Sequence, residues 1–237
     1  IHHDAVFGNY FQNMPHADIY ERTGAEDFMR IMFPQGKLST VKTNGAITIG
    51  FWVNAKLAID RGLAYRDPSI FYLAGESYIN ANSYKNPHMF NIHGIGGISG
   101  YTNENNEYAG GTTFGQFCPN TSDDDRGGFY KNNFYLDRNW HYITYQMYND
   151  FSRYNMYVDG FPATLGGYSP TSNTSVLKDG IDGLRSIVLG GLNCRNVPFA
   201  YDVAFAYDDV VIYDRVLSHA EIKQIIAEKN YTPSWYF

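Results

Sequence analysis

The sequence predicts an all-β fold: a sandwich of two antiparallel sheets with a short C-terminal helix. Short runs of alternating apolar and polar residues recur along the 237 residues and are separated by turn-forming residues. Aromatic residues make up 17% of the chain, with 21 Tyr and 16 Phe, and these side chains favour pleated surfaces. The length suits one large all-β domain, so we expect a single domain over residues 1–237.

The N-terminal third contains the clearest predicted strand. Residues 1–20 are predicted to form an extended segment, and residues 28–33 (FMRIMF) a strand with mixed faces. In residues 46–54, Ile, Ile, Phe and Val alternate with Thr, Gly, Trp and Asn, which is the period of a strand with one hydrophobic face. Trp52 is expected to pack in the core or on a sheet face rather than to bind a ligand.

The middle of the chain predicts shorter strands and polar connections. Residues 69–74, 89–93 and 112–117 fit strands. The glycines of residues 94–100 do not predict a phosphate-binding loop, because no lysine follows and no helical pattern begins there. Three consecutive aspartates at 123–125 offer oxygen ligands for a hard cation, but a solvated loop is the favoured interpretation.

Residues 140–148 and 154–158 predict two strands joined by a turn at residues 149–153, and a β-hairpin turn is predicted after the second strand. Asp159 and Gly160 follow the second apolar run, and an Asp-Gly pair favours a type I′ turn, which needs positive φ at both residues. His141 has the side-chain chemistry of a general base, but no Ser or Cys nucleophile motif accompanies it, so we expect a structural histidine.

The C-terminal part predicts two strands and the helix. Residues 185–191 and 204–213 are rich in β-branched and aromatic residues. Ser218 and Glu221 have the spacing of a capping box, and isoleucines at 222, 225 and 226 follow at helical spacing. We therefore predict a helix over residues 218–230.

Four of these segments occur in the order found in a known family. They are TIGFWV at 48–53, residues 140–160 with the motifs WHYIT and YVDG, IVLGG at 187–191, and DDVVIYDRVLSHAEI at 208–222. This set resembles laminin-G-like domains of the concanavalin A-like lectin/glucanase superfamily, in particular the bacterial laminin-G type. The resemblance implies a concanavalin A-like jelly-roll sandwich with a short C-terminal helix.

The resemblance also implies a structural Ca²⁺. In many members one ligand is the aspartate at the start of the last strand, which corresponds to Asp208, and the other ligands are largely backbone carbonyls near the N terminus. Asp209 occupies the neighbouring, variable position. The alternative for Asp208 is a surface carboxylate at a strand end.

Catalytic motifs of the superfamily are missing from the sequence. Its hydrolases carry a Glu-x-Asp-x-(x)-Glu strand, whereas Glu104 and Glu107 have different spacing and lie in an Asn-rich stretch. The Arg-rich strand of its polysaccharide lyases is also missing. We therefore expect no enzymatic activity, and a glycoside hydrolase or lyase of the same fold with a non-standard site is the alternative.

The expected function is that of a non-catalytic module that binds a carbohydrate, either a glycan or a polysaccharide. Aromatic rings stack on sugars, and Asn, Asp and Arg side chains bond their hydroxyls, on loops held by a rigid scaffold. The candidate ligand-binding residues with this chemistry are Tyr101, Asn103, Tyr108, Asp125, Arg126, Tyr130, Tyr168, Asn193 and Arg195. Ordinary polar loops, or a protein-interaction or adhesion domain, are the alternatives.

Charge and hydropathy exclude two classes of partner. The net charge is −6 and no Lys/Arg-rich run occurs, so nucleic-acid binding is not expected. No apolar run has the ~18–20 residues of a membrane span.

The chain does not begin with Met, which we interpret as a mature or excised fragment. We expect an extracellular or cell-surface location, with the periplasm as an alternative. A disulfide between Cys118 and Cys194 stays open.

Overall fold

The structure is a computed structural model, which describes residues 2–4, 8–12, 29–60, 69–75, 88–93, 97–99, 112–113, 138–151, 153–162, 181–189 and 205–230. Over these ranges the chain forms two antiparallel sheets and a short C-terminal helix, which confirms the predicted all-β class. No helix among the described residues is long and apolar enough to cross a membrane.

The first sheet has seven strands in the order β1-β2-β13-β4-β9-β10-β11. They are β1 (His2–Asp4), β2 (Gly8–Gln12), β4 (Ile47–Asn54), β9 (Trp140–Tyr148), β10 (Arg153–Val158), β11 (Phe161–Pro162) and β13 (Ala206–Tyr213). The described parts of the predicted N-terminal segment, residues 2–4 and 8–12, are extended and pair with each other as β1 and β2. The closing strand β13 lies between β2 and β4 and so joins the N terminus to the centre of the sheet.

The second sheet has six strands in the order β3-β12-β5-β6-β7-β8. They are β3 (Met29–Met32), β5 (Ser69–Gly75), β6 (His88–His93), β7 (Gly97–Ser99), β8 (Thr112–Thr113) and β12 (Leu184–Leu189). The helices are α1 (Ser39–Asn44), α2 (Lys56–Asp60) and α3 (His219–Glu228). The sequence did not predict α1 and α2, because helices of six and five residues are too short to show a helical apolar period.

The core lies between the two sheets and is built from alternate residues of their strands. In β4 the side chains of Ile47, Ile49, Phe51 and Val53 are fully buried in this core. The rings of Phe51 and Phe71 stack across the interface, with centroids 5.5 Å apart and planes within 9°. The alternation seen in the sequence therefore identifies the inward face of β4 correctly.

The outer face of the seven-stranded sheet is also buried, under helix α3. Trp52 and Tyr142 lie on that face with ring centroids 5.3 Å apart. Ile222 and Ile226 of the helix pack against this pair. Trp52 is therefore a sheet-face tryptophan, as predicted, and has no exposed surface.

The connection from β13 to α3 is held to the sheet by two buried polar side chains. Thr48 Oγ1 donates to the carbonyl of Arg215 at 2.7 Å and accepts the amide of Leu217 at 3.2 Å. Gln146 Nε2 donates to the carbonyl of Leu217 at 2.7 Å. Since a buried polar group without a partner is costly, these bonds determine where the chain leaves the sheet for the helix.

The N terminus of α3 has the predicted capping box. Ser218 Oγ accepts the amide of Glu221, and the Glu221 carboxylate accepts the amide of Ser218 at 2.8 Å. Arg215 Nη2 also donates to this carboxylate at 2.6 Å. These hydrogen bonds, the one from Arg215 first, lower the pKa of Glu221 to about 2.

The predicted hairpin is confirmed. Asp159 and Gly160 have φ of 51° and 77°, the left-handed conformation that a type I′ turn requires. They join β10 to β11, which pair through Val158 and Phe161.

We expect Gly50→Ala to destabilise the protein by about 1–3 kcal/mol through overpacking. A Cβ at Gly50 would lie 2.9 Å from Tyr142 Cζ and still closer to the Tyr142 hydroxyl, which is buried without a hydrogen-bond partner among the described residues. Urea unfolding measures the loss. The control is the same substitution in a Tyr142→Leu background, where the cost should be smaller. Equal costs in both backgrounds would contradict the proposed clash.

We expect the stabilising effect of Glu221 to depend on pH. Its folded pKa of about 2 lies below the ordinary value of 4.5, so its contribution is complete above pH 4.5 and is lost as pH falls towards 2. The difference in urea midpoint between the wild type and Glu221→Gln should therefore shrink over this range. Glu228→Gln is the matched control for removing a carboxylate from the same helix. A difference that stays constant with pH would contradict the assignment.

Candidate binding end of the sandwich

One end of the seven-stranded sheet is defined by three paired residues. β4 ends at Asn54, which pairs with the first residue of β9, Trp140, and with the first residue of β13, Ala206. We call this end of the sandwich the loop end, and the end at which β4 begins the opposite end. Because all neighbouring strands are antiparallel, each strand direction follows from this register.

The second sheet has its orientation set by contacts at the opposite end. Lys42 of α1, just before β4, forms an ion pair of 2.5 Å with Asp182, just before β12. The amide of Phe33 also donates to the carbonyl of Arg185 at 2.8 Å. β12 therefore begins at the opposite end and finishes with Leu189 at the loop end. By the antiparallel order, β8 also runs towards the loop end.

The strand ends divide the candidate ligand residues into groups. Residues 114–137 follow β8 and precede the start of β9, and residues 190–204 follow β12 and precede β13. Both segments thus leave and return at the loop end. The first contains Asp125, Arg126 and Tyr130, and the second contains Asn193 and Arg195. These side chains lie outside the described residues.

The other candidates belong elsewhere in the connectivity. Residues 100–111, which include Tyr101, Asn103 and Tyr108, leave β7 and return to β8 at the opposite end. Tyr168 belongs to the segment between β11 and β12, and by the antiparallel order β11 finishes and β12 begins at the opposite end. These residues also lie outside the described ranges, so their ligand-binding roles stay predictions.

A polar network fixes the point at which the chain enters β9 at the loop end. Asn54 donates to the carbonyl of Arg138 at 3.2 Å and accepts the amide of Lys56 at 2.8 Å. Arg138 Nε donates to Asp60 at 2.9 Å, and Lys56 pairs with the same carboxylate. The hydrogen bonds from Lys56 and Arg138 lower the pKa of Asp60, so this carboxylate stays ionised well into the acid range.

A buried His–Asp pair lies beside this network. His141 Nδ1 is 2.7 Å from Asp159 Oδ2, and both side chains are 1% exposed. The other oxygen of Asp159 accepts the amide of Tyr142 at 2.7 Å. In hydrolases such a pair orients an imidazole towards substrate. Here the imidazole has almost no surface on which to meet one, so we interpret His141 as structural.

Asp208 lies at a β-bulge in the closing strand. It pairs with Trp52 and Val211 pairs with Gly50, so two residues of β13, Asp209 and Val210, lie opposite one residue of β4. Asp209 has a φ of 44°. The extra residue reverses the alternation of the strand.

The reversal lets β13 present apolar residues to both faces of the sheet on either side of the bulge. Tyr207 faces the core between the sheets, and so do Val210 within the bulge and Ile212 beyond it. Ala206 and Tyr213 face helix α3. Without the extra residue, Tyr207 and Ile212 would point to opposite faces.

The carboxylate of Asp208 is bound by a lysine rather than exposed. Lys229 Nζ lies 2.5 Å from Asp208 Oδ2 and 2.9 Å from Asp209 Oδ2. The side chains of Asp208 and Lys229 are 12% and 15% exposed. Asp208 Oδ1 accepts the amide of Asp209 at 2.9 Å.

This donor set does not fit a calcium ion. Calcium takes six to eight oxygen ligands, whereas an ammonium group here lies between two carboxylates. No three His, Cys, Asp or Glu side chains of the described ranges form a group that could hold a metal. The groups around Asp208 thus fit a lysine contact rather than the calcium ion that the resemblance implies, and metal removal tests this interpretation.

Sequence reasoning missed two partnerships, those of Asp208 with Lys229 and of Asp159 with His141. The first joins side chains 21 residues apart and has no local pattern. The second could have been found from the hairpin, because its turn brings residue 159 back beside residue 142. The amide of Asp159 donates to the carbonyl of Tyr142 at 2.9 Å.

Comparisons with known proteins do not identify a family. No family model matches the chain, and no curated protein matches it. Among solved structures the chain is similar to a receptor-binding domain, with 15% identity and a TM-score of 0.47, covering 95% of this chain and 46% of that one.

Two further solved structures show similarity at the same low level. The binding domain of botulinum neurotoxin DC in complex with rat synaptotagmin II has 14% identity and a TM-score of 0.46, covering 95% of this chain and 46% of that one. Trypanosoma rangeli sialidase in complex with sialic acid has 14% identity and a TM-score of 0.38, covering 80% and 24%. The chain spans less than half of each protein, and at these TM-scores the likenesses carry no argument about function.

We expect Asp159→Ala to destabilise the protein by about 3–5 kcal/mol, because it removes one partner of a buried pair. It also leaves the amide of Tyr142 without an acceptor and puts alanine at positive φ. Asp159→Asn should cost less, since asparagine can hydrogen-bond both partners. Denaturant unfolding measures both losses.

Asp182→Ala is the matched control for Asp159→Ala, because it removes an aspartate whose side chain is 52% exposed and which pairs with a lysine. Its cost should stay within about 1 kcal/mol. Similar losses for Asp159→Ala and Asp182→Ala would show that the buried pair contributes no more to the free energy of unfolding than an exposed ion pair does.

Proposed function

We propose that the chain is a non-catalytic carbohydrate-binding module of an exported or cell-surface protein. The observation that carries this proposal is that the described strands before and after two candidate segments end and begin at the loop end. One contains Arg126 and Tyr130, and the other contains Asn193 and Arg195. Both segments therefore start and finish at one edge of the described scaffold, and their residue types are those that stack on a pyranose and bond its hydroxyls.

We further propose a laminin-G-like, concanavalin A-like jelly roll, with residues 1–237 as one domain. The support is the position of the family-like motifs in the sheet. TIGFWV lies in β4, WHYIT in β9 and the closing motif begins in β13, and these three strands are neighbours at the centre of one sheet. IVLGG overlaps β12 of the facing sheet.

The rigid construction of the loop end supports a binding role for its segments. Arg138 lies two residues before the start of β9. Asn54 bonds its backbone carbonyl, and Asp60 bonds its side chain. The buried pair of His141 and Asp159 holds the hairpin beside it. A pre-organised scaffold lowers the entropic cost of binding for the segments that it carries.

The test is binding to a glycan array, followed by affinity electrophoresis on the polysaccharides retained. We expect Tyr130→Ala and Asn193→Ala each to weaken binding about tenfold, the effect of about 1.4 kcal/mol for a lost stacking contact or hydrogen bond. Tyr101 and Asn103 are the candidates whose segment returns at the opposite end, so Tyr101→Ala and Asn103→Ala serve as the controls for placing the site at the loop end. They should bind like the wild type.

Three outcomes would contradict parts of this proposal. Loss of binding in the two controls alone would move the site to the opposite end. Release of sugar products, abolished by a single carboxylate substitution, would favour the glycoside hydrolase or lyase alternative. No retention on any polysaccharide, together with a partner that binds the purified chain directly, would favour a protein-interaction or adhesion domain.

A further inference from the structure

The bulge in β13 brings two carboxylates close together near the buried outer face of the sheet. Asp208 is half-buried beside Trp52, and Asp209 follows it in a left-handed conformation. Neighbouring like charges repel each other, and burial of a carboxylate away from water adds a desolvation cost. A cation at this position would therefore stabilise the bulge.

The chain supplies that cation from the end of helix α3. Lys229 directly follows the last helical residue, and its backbone amide donates to the carbonyl of Ile226 at 3.2 Å. Its ammonium group bonds both carboxylates, at 2.5 Å and 2.9 Å. The contact thus joins the C terminus of the helix to the strand on which the helix packs.

We propose that Lys229 takes the structural role that the family resemblance assigns to a calcium ion. Its ammonium group neutralises the carboxylates of Asp208 and Asp209 in the closing strand, and the native fold needs no divalent cation there. The donor set supports this, because a calcium ion at Asp208 Oδ2 would meet a positive charge already in hydrogen-bonding contact.

A calcium ion and the ammonium group of Lys229 differ in which parts of the chain each can connect. Calcium gathers six to eight oxygens, including carbonyls from distant segments. An ammonium group has three donors and is covalently attached, so it binds only what the end of helix α3 can contact. The closing strand would then depend on the docking of α3 rather than on the concentration of free calcium.

The first experiment compares thermal midpoints of the purified wild-type chain in EDTA and in millimolar calcium chloride. We expect the same midpoint in both, because a ligand that does not bind the native state gives no stabilisation. A midpoint that falls in EDTA and returns with calcium in the wild type, but not in Asp208→Asn, would overturn the proposal and support a metal at Asp208. The expected result is measured on the wild type and so does not depend on the folding of a mutant.

The second experiment removes the ammonium group. Lys229→Met keeps an unbranched side chain that is only one atom shorter. We expect its midpoint in EDTA to fall by about 2–4 °C, the shift that accompanies a loss near 1 kcal/mol in a chain of this size. Lys229→Arg, which keeps the charge, should lose less. Lys223→Met is the matched control, because Lys223 is an exposed lysine of the same helix. Equal midpoints for Lys229→Met and the wild type would overturn the proposal.

The third experiment is a cycle that joins Lys229→Met with Asp208→Asn. If the two groups stabilise the fold through each other, the double variant should lose less than the sum of the single losses. The loss from Asp208→Asn should also be the same with and without calcium. Additive losses, or a loss from Asp208→Asn that appears only with calcium present, would contradict the role of Lys229.

Discussion

The burial of the seven-stranded sheet on both faces is the constraint on which the other features depend. β4 and β9 have the second sheet on one side and helix α3 on the other, so nearly every side chain of the two strands is buried. An antiparallel sheet with one wet face could carry polar residues at alternate positions. Here those positions are mostly apolar, as at Trp52, or bond a specific partner, as Thr48 and Gln146 do; the hydroxyl of Tyr142 is an exception.

The closing strand meets this constraint through its bulge. In a regular strand, residues an odd number of positions apart point to opposite faces. The extra residue of the bulge lets Tyr207 and Ile212, five positions apart, face the same core. The bulge requires Asp209 to adopt a left-handed conformation, and it places the carboxylates of Asp208 and Asp209 beside the sheet face that α3 covers. Lys229 offsets that cost, so the bulge, the helix and the lysine form one unit whose parts stabilise each other.

The scaffold and the candidate ligand-binding residues are separate parts of the chain. The strands and α3 hold the pairs and networks described above, whereas every candidate sugar-binding side chain belongs to a segment between strands. This division is common where function lies on loops that a rigid core positions. The topology still contributes, because antiparallel order determines which segments return at the same end of the sandwich. In this chain it groups two candidate segments and separates them from the two others.

Local patterns in the sequence determined most of the strands, the Asp159–Gly160 turn and the capping box at Ser218, because each depends on residues close together in the chain. Helices α1 and α2 were too short to leave such a pattern. Only the tertiary structure decided that α3 covers Trp52, that β13 contains a bulge, and that Asp208 binds Lys229. These features depend on distances in space between residues far apart in sequence, and periodicity, turn propensity and capping carry no information about such distances.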